Sequence, residues 1–185
     1  MDKIILLKLA SFVATDGGIY KKRNQVFFDS TDENLINSFV AVAKQAGAQK
    51  VFINKVKRGC REAYFYSKRI SGEISEILGE RKTLPLKEIE NLLPQDIQQI
   101  LKILFTLNEK NLLSVQKLLS RFGIVSRIYG SDLVIKGFHE ISKFRSFVGF
   151  IEGAKVTGKS KIWKGFEKNE LLDILLKSYR DTRGK

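Results

Sequence analysis

The spacing of apolar and polar residues over the first eighty positions predicts helices that alternate with strand pairs. In chain order the predicted elements are a helix at 3–15, strands at 19–23 and 25–30, a helix at about 33–46, strands at 50–57 and 61–68, and a helix with Ile70, Ile74, Ile77 and Leu78. Gly17-Gly18 and Gly47 mark helix ends, and Thr31 or Asp32 caps the second helix. The predicted pattern is αββαββα.

A similar but shorter order follows residue 94. Its predicted elements are a helix that starts at Pro94, a helix at 110–123, a hairpin at 124–138 that turns at Gly130-Ser131, a helix at 139–150 and a helix at 168–179. Element order, turn glycines and the pairs Asn34-Leu35 and Asn111-Leu112 agree between the two parts. This agreement favours an internal duplication over a coincidence between two generic α+β stretches.

Both prolines of the chain, Pro85 and Pro94, lie between the two parts, where proline biases its neighbours away from helix. The length of 185 residues suits one domain or two small, similar halves. We therefore predict an α+β fold with a first half at 1–80, a linker at 81–94 and a second half at 95–185.

Composition adds a class of partner to this picture. The chain has 33 basic and 20 acidic residues, a net charge of +13, which indicates a polyanionic partner such as nucleic acid. A membrane-surface protein would carry a long basic amphipathic helix or a lysine-rich tail, and no apolar run reaches transmembrane length. Cys60 is the one cysteine, which predicts a reducing, cytoplasmic setting without disulfides. Abundant Lys, Glu and Ile favour a thermophilic source.

The first predicted helix ends in an acid, although the helix macrodipole disfavours an anion at that end. Residues 9–17 have the sequence LASFVATDG, so Asp16 lies at the end of the helix, just before Gly17-Gly18. Taken alone, Asp16 is typical of a turn aspartate at the entry to a hairpin.

The stretch Leu9–Gly17 resembles the LAGLIDADG motif of homing endonucleases, and residues 101–109, LKILFTLNE, resemble a second copy. The resemblance implies two pseudo-symmetric αββαββα-type halves that pack through two central helices, with both sheets forming a saddle on DNA. Small residues on the motif helices permit close approach, and Ala10, Ser11 and Ala14 meet that need. The resemblance also implies a monomer that binds double-stranded DNA sequence-specifically and hydrolyses it with Mg²⁺, or with Mn²⁺ as a substitute.

In this family the two helix ends each place an acid beside a scissile phosphate. An acid next to the carbonyl groups of a helix end supplies the oxygen ligands that a hard divalent cation prefers. The resemblance therefore implies catalytic roles for Asp16, Asn108 and Glu109, of which Asn108 or Glu109 is the imperfect second acid. It implies metal binding by Asp16, Gly17, Asn108 and Glu109.

The second half departs from the family pattern. Asn108 stands where the acid belongs and brings no charge, and Ile103 stands where a close-packing glycine belongs. Only Lys110 separates Glu109 from the next helix, so the first hairpin is expected to be missing from a shortened second half. The stretch 147–153, FVGFIEG, is an alternative second motif, but too few residues follow it to build a half.

Basic, amide and tyrosine side chains are dense on the predicted hairpins, as phosphate contact and base recognition require. The candidate DNA-binding residues are Lys21, Lys22, Arg23, Asn24, Gln25, Lys50, Asn54, Lys55, Lys57, Arg58, Arg61, Tyr64, Tyr66, Lys68, Arg127 and Lys136. The alternative interpretation of the cations is a solvated strand face. Alternation does not separate the two faces of strand 50–57 cleanly, so the pattern leaves open which cations reach DNA.

Three functions fit these observations. The first is a metal-dependent, sequence-specific DNA endonuclease of the LAGLIDADG type, and the second is a catalytically impaired relative that serves as a DNA-binding regulator or as a maturase on intron RNA. The third is a generic basic α+β RNA-binding protein in which the motif is accidental. With one intact acid, an enzyme that nicks one strand lies between the first two.

Overall fold

The contacts of the chain divide it into two units, Met1–Asp96 and Ile97–Lys185. The computed structural model describes residues 2–56, 59–80, 83–107, 112–157, 160 and 162–183. Helices and antiparallel strands occur in both units, which confirms the predicted α+β class. Among the described residues, no helix combines the length and the apolar character needed to cross a bilayer.

The first unit has the predicted αββαββα order, followed by one short helix inside the segment predicted as a linker. Its elements are α1 (Lys3–Asp16), β1 (Gly17–Tyr20), a 3₁₀ turn (Lys21–Arg23), β2 (Gln25–Ser30), α2 (Glu33–Gln45), β3 (Phe52–Lys55), β4 (Arg61–Tyr66), α3 (Lys68–Leu78) and α4 (Leu86–Glu90).

Side chains at the helix starts satisfy backbone amides that have no partner inside a helix. The Asp2 carboxylate accepts a hydrogen bond from the Ile4 amide at 3.0 Å at the start of α1. Asp32 accepts one from the Asn34 amide at 2.9 Å, so Asp32, and not Thr31, caps α2. Ser67 caps α3 in the same way, through the Ile70 amide.

The four strands form one antiparallel sheet in the order β1-β2-β4-β3. A phenylalanine cluster packs α1 and α2 on one face of it, with the ring of Phe12 5.0 Å from that of Phe28 and 5.7 Å from that of Phe39. All three side chains are fully buried, and each contributes about 3 kcal/mol of hydrophobic stabilisation. Strand alternation therefore turns the neighbours of Phe28 to the opposite face, which carries no helix of this unit.

Three strands are shorter than predicted, for local reasons. Residues 21–23 form a 3₁₀ turn and not strand, because Asn24 adopts a left-handed conformation (φ 52°) that closes a tight turn into β2. The predicted strands at 50–57 and 61–68 are β3 at Phe52–Lys55 and β4 at Arg61–Tyr66. Lys68 belongs to α3 because Ser67 already caps that helix.

The second unit is built around α5 (Pro94–Leu107), which starts at Pro94 as predicted. Its other elements are α6 (Leu112–Ser120), β5 (Arg127–Tyr129), β6 (Asp132–Val134), α7 (Phe138–Phe147) and α8 (Lys168–Arg183). The hairpin turns at Gly130-Ser131, as the sequence predicts. In the described part of this unit, β5 and β6 form a two-stranded sheet where the first unit has four strands, which agrees with a shortened second half.

One antiparallel pairing in the second unit was not predicted. The Val156 amide donates to the Phe166 carbonyl at 2.9 Å, and the Gly165 amide donates to the Val156 carbonyl at 2.9 Å. A bridge between Lys155 and Glu167 continues the pairing. Trp163 lies on the connecting segment, is 46% exposed, and packs edge-on against Phe166.

Glu140 of α7 accepts a backbone hydrogen bond from the segment that leads into β5. Its carboxylate accepts hydrogen bonds from the Val125 amide at 2.6 Å and from Lys143 at 3.0 Å, and these contacts lower the pKa of Glu140. A lowered pKa in the folded state adds stability above the unfolded value of about 4.3, and the added stability is lost as the pH falls through the folded value.

We therefore expect Glu140→Ala to lower the melting temperature at pH 7, and we expect this deficit to shrink as the pH is lowered below about 4. Thermal unfolding followed by circular dichroism over this pH range is the measurement. Glu76→Ala, an exposed glutamate on α3, is the control for the general effect of removing an acid. A Glu140→Ala deficit that is equally large at pH 3 would contradict the electrostatic explanation.

Candidate metal and nucleic-acid site

Helix α1 runs into strand β1 without a loop, because Asp16 is the last residue of the helix and Gly17 the first of the strand. Asp16 is exposed at this junction. A Cβ atom on Gly17 would lie 2.4 Å from the carbonyl oxygen of Phe27 in the neighbouring strand. Glycine is therefore required here by space, since its φ of −124° is one that any residue adopts. The absent side chain lets β2 approach the end of the helix.

A second carboxylate lies next to Asp16. The register pairs Gly17 with Phe28, so Asp29 stands beside Asp16 at the end of the sheet where β1 begins. Burial raises the pKa of Asp29, and the negative charge of Asp16 raises it further. Glu62, the partner of Asp29 on β4, also has a raised pKa, through burial and then through the charge of Asp29. Asp16, Asp29 and Glu62 therefore form an acidic cluster at one end of the open sheet face, which we call the acidic end.

The donor atoms at this end suit a hard divalent cation. The Asp29 Oδ1 atom is buried and makes no hydrogen bond, and the charge of Asp16 disfavours ionisation of Asp29. A cation bound by Asp16 would offset this repulsion, and carboxylate oxygens are the ligands that Mg²⁺ prefers. The described residues contain no group of three His, Cys, Asp or Glu side chains that could hold a metal by themselves. Further oxygen ligands, such as those of a phosphate, would have to complete the shell.

Cys60 borders the acidic end but is not a nucleophile candidate. Burial raises the pKa of its thiol, and the nearby charge of Asp29 raises it further. Since the thiolate is the reactive form, the thiol is kept protonated and unreactive at neutral pH.

Removal of one acid is expected to stabilise the protein in the absence of metal. We expect Asp29→Asn to raise the melting temperature by about 2 °C at pH 7.5, because it removes a like charge next to Asp16. Added MgCl₂ should then raise the melting temperature of the parent protein more than that of the variant. Differential scanning calorimetry with EDTA or MgCl₂ measures both effects, and Asp96→Asn is the control. A destabilised Asp29→Asn protein in EDTA would contradict the arrangement.

The open face of the sheet has three rows, which follow from the strand register. The first row, beside Asp16, holds Asp29, Glu62 and Asn54. The second holds Gly18, Phe27, Tyr64 and Phe52, and the third holds Tyr20, Gln25 and Tyr66. Along each strand the rows are about 7 Å apart. The face therefore changes from acidic to aromatic with distance from Asp16.

Aromatic side chains dominate the second and third rows. We call Tyr20, Phe27, Phe52, Tyr64 and Tyr66 the aromatic patch. Tyr20 stacks on Phe27 with ring centroids 4.7 Å apart, and Phe52 stacks on Tyr64 at 5.2 Å. Asn54 donates to the Tyr64 hydroxyl at 3.3 Å. Tyr20 and Tyr66 are each 52% exposed, so the patch presents a broad apolar surface with hydroxyl groups at its edge.

The predicted DNA-binding residues of the first unit divide between several places. Those on the open face are Gln25, Asn54, Tyr64 and Tyr66, and those at its margin are Lys21, Lys22 and Arg23 in the 3₁₀ turn, Asn24 after that turn and Lys50 before β3. Gln25 is only 6% exposed. The ammonium of Lys50 lies 4.9 Å from the centre of the Phe52 ring, which keeps this cation beside the patch.

Two of the basic residues predicted to bind DNA lie on the side of the sheet opposite the open face. Arg61 alternates with Glu62 and pairs with Glu33 of α2 at 2.6 Å, on the helical side of the sheet. Lys55, opposite Arg61 in the register, belongs to the same side. Lys68 is exposed in the first turn of α3. Lys57 and Arg58 lie outside the described residues.

In the second unit, Arg127 and Lys136 lie on and just after the β5–β6 hairpin and are exposed. The Lys136 ammonium lies 5.1 Å from the centre of the Tyr129 ring. Asn108 and Glu109, the candidates for the second acid, lie outside the described residues. Near the end of α5 the ammonium of Lys168 donates to the Thr106 carbonyl at 2.6 Å, so a lysine cation occupies the negative end of this helix.

Sequence reasoning missed four residues of this surface: Asp29, Phe27, Phe52 and Tyr20. The stretch Gln25–Ser30 contains the signal that could have found two of them, since Val26 and Phe28 alternate with Gln25, Phe27 and Asp29. Assigning Val26 and Phe28 to the core would have placed Phe27 and Asp29 on the open face.

Solved structures with a similar fold include homing endonucleases. Mesophilic variants of the homing endonuclease I-DmoI match with a TM-score of 0.59 and 18% identity over 78% of this chain and 95% of that one. I-DmoI in complex with DNA and Ca matches at 0.58 and 18% identity over 78% and 88%. The homing endonuclease I-WcaI bound to its DNA recognition sequence matches at 0.53 and 14% identity over 80% and 81%. Neither protein-family models nor curated protein sequences match. The chain therefore has the fold of these homing endonucleases.

Proposed function

We propose that the protein is a LAGLIDADG-type homing endonuclease that binds double-stranded DNA sequence-specifically and hydrolyses a phosphodiester bond with a divalent metal. One observation carries the proposal. Asp16 lies at the junction of α1 and β1, where the close approach of β2 requires glycine at position 17. The neighbouring residue Asp29 has a buried carboxylate oxygen that makes no hydrogen bond, and both residues lie at the end of an open sheet face. The fold supports it, because similar structures include a nuclease in complex with DNA and Mn and another bound to its recognition sequence.

The residues at the acidic end would divide the work of metal binding. Asp16 would hold Mg²⁺, or Mn²⁺ in its place, together with a phosphate oxygen of the DNA, while Gly17 sets the approach of the helix end to β2. The metal, when bound, supplies Lewis-acid activation of water and charge stabilisation at the leaving oxygen. Asp29, beside Asp16, would add negative potential that favours the cation, and a bound cation would in turn favour its ionised form. Asn108 or Glu109 would supply the second, weaker ligand set.

Charge supports DNA as the ligand. The net charge of +13 gives long-range attraction to a polyanion, and Lys21, Lys22 and Arg23 are exposed at one margin of the open face. In the second unit, Arg127 and Lys136 would contact phosphates of the same duplex. The protein would act as a monomer, since one chain contains both halves of the motif pattern.

The test uses a library of random duplexes. Bound duplexes are selected in CaCl₂, the enriched sequence is cloned into a plasmid, and the purified protein is added with MgCl₂, MnCl₂ or EDTA. We expect one enriched sequence and strand cleavage in Mg²⁺ or Mn²⁺ but not in EDTA. Enrichment without cleavage would leave a DNA-binding regulator, and no enrichment from duplex DNA would reject the proposal.

The salt dependence of binding separates cations at the open face from those behind it. We expect Lys22→Ala to reduce the slope of log Kd against log salt concentration by about 1, because one phosphate contact is lost. Arg61→Ala removes the same charge but should leave the slope unchanged, since Arg61 pairs with Glu33 on the helical side. Both slopes are measured by fluorescence anisotropy in EDTA, at KCl concentrations from about 50 to about 300 mM. Equal slopes for the two variants would contradict this placement.

A further inference from the structure

We infer that the open sheet face of the first unit recognises its half-site mainly through the C5-methyl groups of thymine, so that this half-site is rich in thymine. The inference rests on the proposed function and adds the bases that the first unit selects. Its basis is the chemistry of the face: five aromatic side chains, two carboxylates and two amides.

Guanine recognition usually relies on a cation, and the strand positions of this face supply none. Arginine or lysine contacts to guanine are the commonest specific contacts in the major groove. On β1 to β4, all of which the structure describes, the open-face positions include no lysine or arginine. Among the nearby cations, Lys21, Lys22 and Arg23 lie beyond the strands, in the turn, where they suit phosphates. Lys50 lies before β3, and its ammonium is held against the Phe52 ring, 4.9 Å from the ring centre.

Apolar recognition of thymine fits the groups that the face does offer. The methyl group of thymine is the one apolar group that a base pair presents in the major groove, and aromatic side chains contact it favourably. The aromatic patch covers the second and third rows of the face, beyond the acidic row beside Asp16. Asn54, held by Tyr64, can pair with adenine, the partner of thymine.

The ring geometry favours duplex DNA over unpaired bases. Proteins that bind single strands stack bases on free ring faces. In the aromatic patch, Tyr20 and Phe27 lie nearly parallel, at 18°, and Phe52 and Tyr64 at 15°, so each pair already stacks face to face. In each pair, one face of each ring is therefore covered by its neighbour, and Tyr66 lies edge-on to both Phe52 and Tyr64. This packing leaves fewer free ring faces for unpaired bases, whereas a methyl group needs only apolar contact.

The test replaces each thymine of the selected duplex by deoxyuridine, which removes only the methyl group. We expect Kd to rise about fourfold for each contacted thymine, the effect of one buried methyl group, at neighbouring positions on one side of the cut. Tyr64→Ala and Tyr66→Ala should reduce the difference between thymine and deoxyuridine at these positions. Tyr129→Ala, on the hairpin of the second unit, is the matched control and should keep the difference.

Each outcome decides a different point. Tight binding of the selected duplex that is unchanged by deoxyuridine at every position would overturn the inference and leave the proposed function intact. Tighter binding of single-stranded DNA or RNA than of any duplex would overturn it as well, in favour of base stacking on the patch. Failure to select any duplex would instead reject the proposed function. Tyr66 is 52% exposed, so its variant should fold even if Tyr64→Ala does not.

Discussion

Under the proposed function, replacement of Asp16 by asparagine is expected to lower the rate of DNA cleavage by at least about a thousandfold, because several kcal/mol of transition-state stabilisation would depend on a metal held by this carboxylate. The affinity for DNA in EDTA should change less than about threefold, since a neutral amide removes no phosphate contact. Single-turnover cleavage of the selected duplex in MgCl₂ and anisotropy in EDTA are the two measurements.

Asp181→Asn is the matched control, because Asp181 is an exposed acid on α8 far along the chain from the motif. Its cleavage rate should equal that of the parent protein. If Asp16→Asn still cleaves at the parent rate, Asp16 is only a turn aspartate, and the proposed nuclease site is wrong. A nick in one strand that is lost in Asp16→Asn would identify Asp16 as the acid that serves that strand.

Replacement of Gly17 by alanine is expected to destabilise the protein by about 3 kcal/mol, a fall of about 6 to 12 °C in melting temperature. The added Cβ atom would meet the Phe27 carbonyl oxygen at 2.4 Å and the Cα atom of Val13 at 3.0 Å. Both contacts are with backbone, so neither can be relieved by rotating a side chain. Strand β2 must move away from the helix end, or the helix must unwind there.

Gly72→Ala is the control, because the same chemical change is expected to stabilise the protein there. Gly72 lies inside α3, and a Cβ atom there would meet nothing within 4 Å. Alanine is the better helix former, so we expect a gain of about 0.5 to 1 kcal/mol. Urea unfolding of both variants gives the two free energies. A Gly17→Ala protein as stable as the parent would mean that the junction can relax.

The first unit was predictable because its signals are local. Gly17-Gly18, Gly47 and Asp32 mark helix ends through glycine and capping chemistry, and these signals placed α1 and α2. The four-stranded order was not contained in these signals, because β4 pairs with β2 through hydrogen bonds between residues more than thirty positions apart. The resemblance to the LAGLIDADG motif supplied the expectation of a sheet, and the strand register supplied the rows on its face.

The placement of cations was the weaker prediction. Arg61 and Lys55 were assigned to DNA by their density along the chain, whereas the register turns them to the side of α2. Composition states how many charges a chain carries, but only register states the face on which each charge lies. Asp29 was overlooked for the same reason, since its importance comes from a neighbour, Asp16, that lies thirteen positions earlier in the chain.

Under the proposed function, the direct passage from α1 into β1 has a consequence for changing the DNA target. Because no loop separates Asp16 from Gly17, the offset between the cutting position and the bases under the sheet is set by covalent geometry. Substitutions in the aromatic patch should therefore alter which bases are chosen without moving the point of scission. An inserted residue between Asp16 and Gly17 would change this offset, and it would also destabilise the protein, since the junction has no room even for a Cβ atom on Gly17.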